Sequence, residues 1–151
     1  MSGMVVSLFL TGCAAVYCNS GAEYLIKGQY DRAIADFNKA LELNPKSAVA
    51  YSFRGVAYAE KGQYDRAIAD CNKAIEINRE FAPHYYFRGV CYAKKGEYDR
   101  AISDFDKAIE INPELSRAYH QRGLVYRKKG QYERAIADLI KALRILKETK
   151  D

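Results

Sequence analysis

The sequence predicts an all-α protein made of four tandem pairs of helices. A block of up to 18 residues returns every 34 residues, beginning at Gly28, Gly62, Gly96 and Gly130, and its first two copies agree at 14 of 18 positions. Within each block, apolar residues recur at spacings of three and four, which is the period of an amphipathic helix. The chain of 151 residues is 49% apolar and 28% charged. That composition is typical of a folded domain and excludes a disordered or disulfide-dense chain.

The segment before each block predicts the first helix of a pair. It reads YCNSGAEY, YSFRGVAY, YYFRGVCY and YHQRGLVY in the four copies. In the second copy, Tyr51, Gly55 and Tyr58 fall on one helical stripe, and the small Gly55 lets the second helix approach closely. Segments and blocks together give one predicted domain over residues 14–149, preceded by an apolar segment, residues 1–13. Its repeats are residues 14–47, 48–81, 82–115 and 116–149.

The block itself predicts the second helix of each pair. Its glycine supplies the turn, and in the second copy an apolar stripe follows from Tyr64 to Ile77. A carboxylate in the first turn suits the positive end of the helix dipole. These carboxylates are Asp31, Asp65, Asp99 and Glu133. Asparagine ends the helix in three copies, and proline, which cannot continue a helix, follows in two of them. These residues are Asn44, Asn78 and Asn112, with Pro45 and Pro113.

This pattern resembles the tetratricopeptide repeat family over about nine-tenths of the chain. The third repeat carries the family's motif as Tyr85, Gly89, Tyr92, Ala101, Phe105, Ala108 and Pro113. Cys71 and Leu139 depart from it in place of an aromatic residue, and Arg79 and Lys147 in place of proline. The resemblance implies a right-handed α-solenoid, a superhelix of eight helices whose first helices line the concave side. Stacking is required because one pair cannot bury its apolar face alone.

No catalytic constellation emerges from the residue pattern, and we predict neither an enzyme nor a cofactor or metal site. The histidines, His84 and His120, lie in different repeats and are expected at the surface or in the groove. Carboxylates recur once per repeat, which favours a structural role over acid–base chemistry. We expect Asp36, Asp70, Asp104 and Asp138 to form an ion-pair ladder with Arg54, Arg88 and Arg122.

The four cysteines have no metal-binding or redox spacing, since no two are separated by just two residues. Cys71 takes the place of an aromatic core residue, and Cys91 lies on a packed helix. Both are expected to be buried and inert.

The resemblance implies that fixed places in the first helices face the concave groove and bind a peptide or protein segment. In this chain they are Ser52, Phe53, Val56, Tyr86, Phe87, Val90, Arg117, His120, Gln121, Leu124, Arg127 and Lys128. This set is apolar and aromatic in the middle and basic at its end. Residues 82–151 hold 15 basic and 10 acidic side chains, which accounts for the whole net charge of +5.

A ligand with apolar anchors followed by acidic residues fits that surface, and no small-molecule substrate is expected. The alternative for Phe53 and Phe87 is that they pack between neighbouring first helices. Nucleic acid is an unlikely ligand, because aromatic and basic residues do not interleave as in known readers. One subfamily clamps a partner's C-terminal carboxylate through Lys, Asn and Arg. Of the corresponding residues only Arg117 has a suitable charge, so such a clamp is not expected.

The N-terminal segment allows two interpretations. Leu10-Thr11-Gly12-Cys13 has the form of a bacterial lipobox, with Val5 to Leu10 as a short apolar core. No Lys or Arg precedes that core, although a signal peptide normally begins with charge. The alternative is an apolar extension of the first helix. A cytoplasmic location is favoured over an envelope lipoprotein anchored at Cys13, and membrane contact is expected only if Cys13 is acylated.

The C-terminal repeat is expected to expose apolar residues. Its second helix continues through Leu143, Ile145 and Leu146, and Ile140 and Leu143 are left partly bare. Exposed apolar ends favour association. The predicted function is therefore a non-catalytic interaction scaffold, with an end-to-end self-assembling module as the alternative.

Overall fold

The computed structural model describes the backbone of residues 3–149 and the side chains from Gly12 to Thr149. Within those residues it contains eight α-helices and no strand. The helices are α1 (Gly3–Ile26), α2 (Tyr30–Leu43), α3 (Ala48–Glu60), α4 (Tyr64–Ile77), α5 (Ala82–Lys94), α6 (Tyr98–Ile111), α7 (Ser116–Lys128) and α8 (Tyr132–Glu148). The predicted all-α fold of paired helices is thus confirmed.

The turn between the two helices of each repeat depends on glycine. Gly28, Gly62, Gly96 and Gly130 have φ values between 71° and 81°. This left-handed region is readily adopted by glycine and costs other residues energy, because their Cβ approaches the carbonyl oxygen. The regular spacing of these glycines therefore sets the length of every first helix.

Helix ends follow the predicted residues. Asn44, Asn78 and Asn112 are the C-caps of α2, α4 and α6. In α8 no such asparagine is present, and the helix continues for 17 residues against 14 in α2, α4 and α6. Its last turns therefore present Leu143 and Leu146 beyond the point where the other second helices end.

The eight helices form two compact units of two repeats each, α1–α4 ending at Arg79 and α5–α8 beginning at Glu80. In each unit, paired helices pack against each other and the later first helix packs on the preceding pair. In unit 1, the core clusters are Ala33/Phe37/Ala57 and Ala40/Leu41/Ala50. In unit 2 they are Ala101/Phe105/Val125 and Ala82/Ala108/Ala118. A single domain over residues 14–149 stays a prediction.

Glycine permits the close crossing within each pair. A Cβ built on Gly89 would lie 2.8 Å from Cε1 of Phe105. On Gly55 it would lie 3.3 Å from the Ala67 carbonyl oxygen and 3.6 Å from Sγ of Cys71. The second repeat therefore has more room at its crossing, because Cys71 replaces the aromatic ring.

His84 does not lie at the surface, as the sequence suggested, but is only 2% exposed. It stands at the place that Ala50 and Ala118 occupy in other repeats, on the side of the first helix that packs inward. Its ring meets Phe81 edge-on, with centroids 4.8 Å apart. Burial lowers the pKa of His84 below its ordinary value. His120 is exposed, as expected.

The first helix begins well before the repeat that contains it. α1 has 24 residues, against 13 in α3, α5 and α7. Cys13 lies half-buried inside it. The side chains of Val5 to Leu10, the proposed signal core, lie outside the described residues. No helix in the described part of the chain is long and apolar enough to cross a membrane. Acylation of Cys13 stays a hypothesis.

Candidate binding surface

The recurring carboxylates are structural, as predicted. Arg54 donates from Nε and Nη2 to the two carboxylate oxygens of Asp70, at 2.8 and 2.7 Å. The same two-pronged bond joins Arg88 to Asp104 and Arg122 to Asp138. Paired hydrogen bonds of this kind fix the guanidinium in one orientation.

Two of these arginines also reach the preceding repeat within their own unit. Nη1 of Arg54 donates to Asn38 at 2.7 Å, and Nη1 of Arg122 donates to Asp106 at 2.5 Å. The hydrogen bond to Asp138, with that to Asp106, raises the pKa of Arg122. Asp36 differs from the prediction, because Ser20 stands where the other repeats have arginine and donates to it at 2.6 Å. The carboxylates therefore hold the helices together.

In unit 1 the predicted groove residues differ in accessibility. Ser52 is only 7% exposed, so its side chain is not part of the accessible surface of this unit. Phe53 is exposed at one edge and stacks on Phe37, with ring centroids 6.0 Å apart. Val56 is half-buried. Only Phe53 offers a substantial apolar surface here.

In unit 2 Tyr86 is the centre of an aromatic cluster. Its ring lies 5.3 Å from that of Phe87 and 6.2 Å from that of Phe105, centroid to centroid. Its hydroxyl hydrogen bonds with the side chain of Gln121. Burial raises the pKa of Tyr86, an effect that the nearby charge of Arg117 opposes. Tyr86 is therefore a packed residue with one exposed edge.

The remaining predicted residues of unit 2 extend this surface along α5 and α7. Val90 packs against the cluster that contains Phe105, and Leu124 is half-buried. Arg127 and Lys128 are exposed, and Nζ of Lys128 lies 5.9 Å from the ring centroid of Tyr98. The surface thus passes from apolar to cationic along α7.

A cavity of about 730 Å³ opens beside Tyr86. Four residues predicted from the sequence line it, namely Tyr86, Arg117, His120 and Gln121. The others are Ser116, Leu139, Ala142, Leu143 and Leu146. Of these five, only Leu143 and Leu146 drew attention in the sequence, as exposed or continuing residues of the last helix. Comparing the last repeat with the others by the 34-residue spacing is the step that could have found the rest.

No metal or nucleophilic site accompanies the cavity. Across the described residues no three His, Cys, Asp or Glu side chains lie together as metal ligands would. Cys71 and Cys91 are buried, and burial raises the pKa of the Cys91 thiol to about 11. At neutral pH this thiol is protonated and a poor nucleophile.

Fold and surface together define a helical-repeat protein whose exposed first-helix residues are suited to contact rather than chemistry. Sequence profiles described as "Tetratricopeptide repeat" match residues 48–81 and 82–115, and 105–137. One described as "TPR repeat" matches residues 21–62. The chain belongs to the tetratricopeptide repeat family, whose members are typically protein-interaction scaffolds without enzymatic activity. No curated protein matches it.

Solved structures agree with that assignment. The chain is similar to a structure described as "Crystal structure of MamA", with 32% identity, 91% of this chain and 80% of that chain covered, and a TM-score of 0.82. It is also similar to the first TPR of Spaghetti (RPAP3) bound to the HSP90 peptide SRMEEVD. There the identity is 25%, the coverage 80% and 95%, and the TM-score 0.76. For Pseudomonas aeruginosa pilF the values are 25%, 90% and 62%, and 0.83.

Proposed function

We propose that the chain is a non-catalytic scaffold that binds a peptide or protein segment through the first helices. The working surface of unit 2, called here the first-helix face, comprises Tyr86, Phe87, Val90, Arg117, His120, Gln121, Leu124, Arg127 and Lys128. The observation that carries the proposal is the cavity beside Tyr86, which joins an aromatic edge to a cation and two polar side chains. Desolvated anchors in such pockets supply most of the affinity of an interface. In unit 1, Phe53 and Val56 are the proposed counterparts.

The preferred ligand has apolar anchors and acidic residues. Phe87 and Leu124 offer apolar contact, while Arg117, Arg127 and Lys128 favour carboxylates. The HSP90 peptide in the RPAP3 structure has this general composition, with Met and Val beside two Glu and an Asp. A C-terminal carboxylate clamp is not proposed here, because only Arg117 has a charge suited to it.

Kinetics on a partner recovered from the source cells test this proposal. Arg127→Glu should slow association severalfold and weaken its salt dependence, because exposed cations steer encounter. His120→Ala should raise the dissociation rate by removing a contact at the cavity. Tyr86→Ala is a poor test, since Tyr86 also packs on both core clusters of its unit.

A charge-matched control is Lys107→Glu on α6, a second helix. It should leave both rates unchanged if the first-helix face binds the partner. Should Arg127→Glu and His120→Ala both bind like the parent, the first-helix face is not the binding surface.

End-to-end self-assembly is the second candidate, and the exposure of Ile140, Leu143 and Leu146 on α8 favours it. Light scattering over a range of protein concentrations tests it directly. A molar mass that rises with concentration, and that Leu143→Glu returns to one chain, would support assembly through the last repeat. A constant monomer mass would exclude it.

A further inference from the structure

The exposed end of the last repeat has the same construction as surfaces that are filled by a helix elsewhere in the chain. In unit 1, Leu41 of α2 is 8% exposed because α3 covers it. Leu143 of α8 stands at the same place of its repeat and is 67% exposed. Ala142 likewise corresponds to Ala40, which is buried against Ala50 of α3. The cavity lined by Ala142 and Leu143 is therefore an unfilled seat for a helix.

Unit 2 shows how such a seat is filled. Ala118 of α7 packs into a cluster with Ala82 and Ala108, beside Tyr86 and Ile109. One repeat later, the corresponding residues are Ser116, Ala142, His120 and Leu143, all of which line the cavity. The seat thus repeats the shape that accepts a small residue of a first helix.

The helices that fill these seats share a spacing of seven residues between small or β-branched side chains. In α3 they are Ala50 and Ala57, and in α7 they are Ala118 and Val125. Two such residues lie on one face of a helix, two turns apart. A helix seated on α7 and α8 needs the same pair, facing Ala142 and Leu139.

One position of the seat differs from the internal ones and selects against an ordinary further repeat. Arg54 and Arg122, four residues after the first small residue, donate to Asn38 and Asp106 of the preceding repeat. In the last repeat that acceptor is replaced by Ile140, which is exposed. An arginine there would find no acceptor, whereas an apolar side chain would cover Ile140.

The border of the seat is cationic. Arg117 lines the cavity, and Lys141, Arg144 and Lys147 adjoin Ala142, Leu143 and Leu146 along α8. None of these four side chains forms an ion pair within the part of the chain that the structure describes. A seated helix parallel to α7 would place its N-terminus near Arg117, and acidic residues in a first turn also suit the helix dipole.

A second copy of this chain does not fit the seat well. The first helix that it would offer is α1, whose small-residue pair is replaced by Val16 and Glu23. The carboxylate of Glu23 would meet Leu139 without a hydrogen-bond partner, and burying an unpaired charge is costly. Two such ends meeting tail to tail would bring Arg144 and Lys147 of both copies together. Charge and shape thus both favour a different protein.

We propose that the end of the last repeat, formed by α7 and α8, binds an amphipathic helix of a partner protein. That helix carries small residues seven apart, an apolar residue four after the first, and acidic residues in its first turn. This binding is separate from the proposed function, because its apolar floor is α8 and not the first-helix face.

Fluorescence anisotropy with a designed peptide tests the proposal on the full chain. The probe has the sequence of residues 48–60 with leucine in place of Arg54 and two glutamates before Ala48. It should bind saturably, and at least about tenfold more tightly than a peptide of residues 14–26, which carries Glu23. A probe that retains arginine should bind more weakly, since it faces Ile140.

Two exposed sites provide matched variants of the protein. Leu143→Glu should abolish binding of the probe, while Val16→Glu on α1 should leave it unchanged, with helix content and Tm preserved in both. Arg127→Glu on the first-helix face should also leave it unchanged, so that a failure here is distinguishable from a failure of the proposed function. Binding that survives Leu143→Glu, or no saturable binding at the highest soluble concentration, would overturn the proposal. So would a dimer that both Val16→Glu and Leu143→Glu dissociate, since the occupant would then be a second copy.

Discussion

At the scale of single residues, the repeat register decides which positions tolerate exceptions. Most places in the four repeats hold the same residue type, so one unusual residue identifies a local difference. Ser20, His84 and Ile140 are three such residues, and each changes a contact that the other repeats make. Reading a residue against its counterparts is therefore more informative than reading it alone.

Buried His84 makes the stability of the protein depend on pH. Burial lowers its pKa in the folded state, so the unfolded chain binds the proton more readily. This contribution to stability is complete above about pH 6.5 and is lost as the pH falls toward the folded-state pKa. His84→Ala, which places there the alanine found at Ala50 and Ala118, should make the free energy of unfolding less dependent on pH between 7.5 and 5.5. Urea unfolding at several pH values measures this, and parallel curves for the two proteins would contradict it.

Arg122 should contribute more to stability than an exposed cation does. Arg122→Met leaves Asp138, which is largely buried, without its cation and should cost about 2–3 kcal/mol. The control is Lys73→Met, which breaks the exposed pair with Glu76 and should change stability little. Chemical denaturation of both variants measures the difference. Equal stabilities would show that the two-pronged bond is not important for the fold.

At the scale of helices, much of the fold could be predicted from the sequence. Glycines at 34-residue intervals gave the turns, and asparagines gave the ends of α2, α4 and α6. These features are local, because each depends on the φ angle or the capping of one residue. The burial of His84 and Ser52 could not be predicted in this way, since it depends on what packs against a helix face from elsewhere in the fold.

The crossing of paired helices should tolerate a methyl group in one repeat and not in another. Gly89→Ala places its Cβ 2.8 Å from the Phe105 ring and should cost on the order of 1–3 kcal/mol. Gly55→Ala faces Cys71 at 3.6 Å and should be close to neutral, because alanine also favours the helix by about 1 kcal/mol. Thermal unfolding compares the two variants. An equal loss of Tm in both would mean that the aromatic residue does not set the crossing distance.

At the scale of the whole molecule, the candidate site was predicted only in part. The family register identified Tyr86, Arg117, His120 and Gln121, which the structure brings to one cavity. The floor of that cavity belongs to α8 and was missed, because Leu139 and Ala142 occupy ordinary core positions whose covering helix is absent from the described residues. A core position becomes a binding position only through what does not cover it, and a repeat pattern does not show that.

The central claim is that the first helices form the surface that contacts other proteins. The most direct measurement is photo-crosslinking in the source cells, with a photoreactive amino acid in place of Arg127 on α7 or of Lys107 on α6. The account predicts a discrete higher-mass adduct from position 127 and none from position 107, where the side chain pairs with Glu110 on the outer side of a second helix. An adduct from position 107 together with none from position 127 would contradict it.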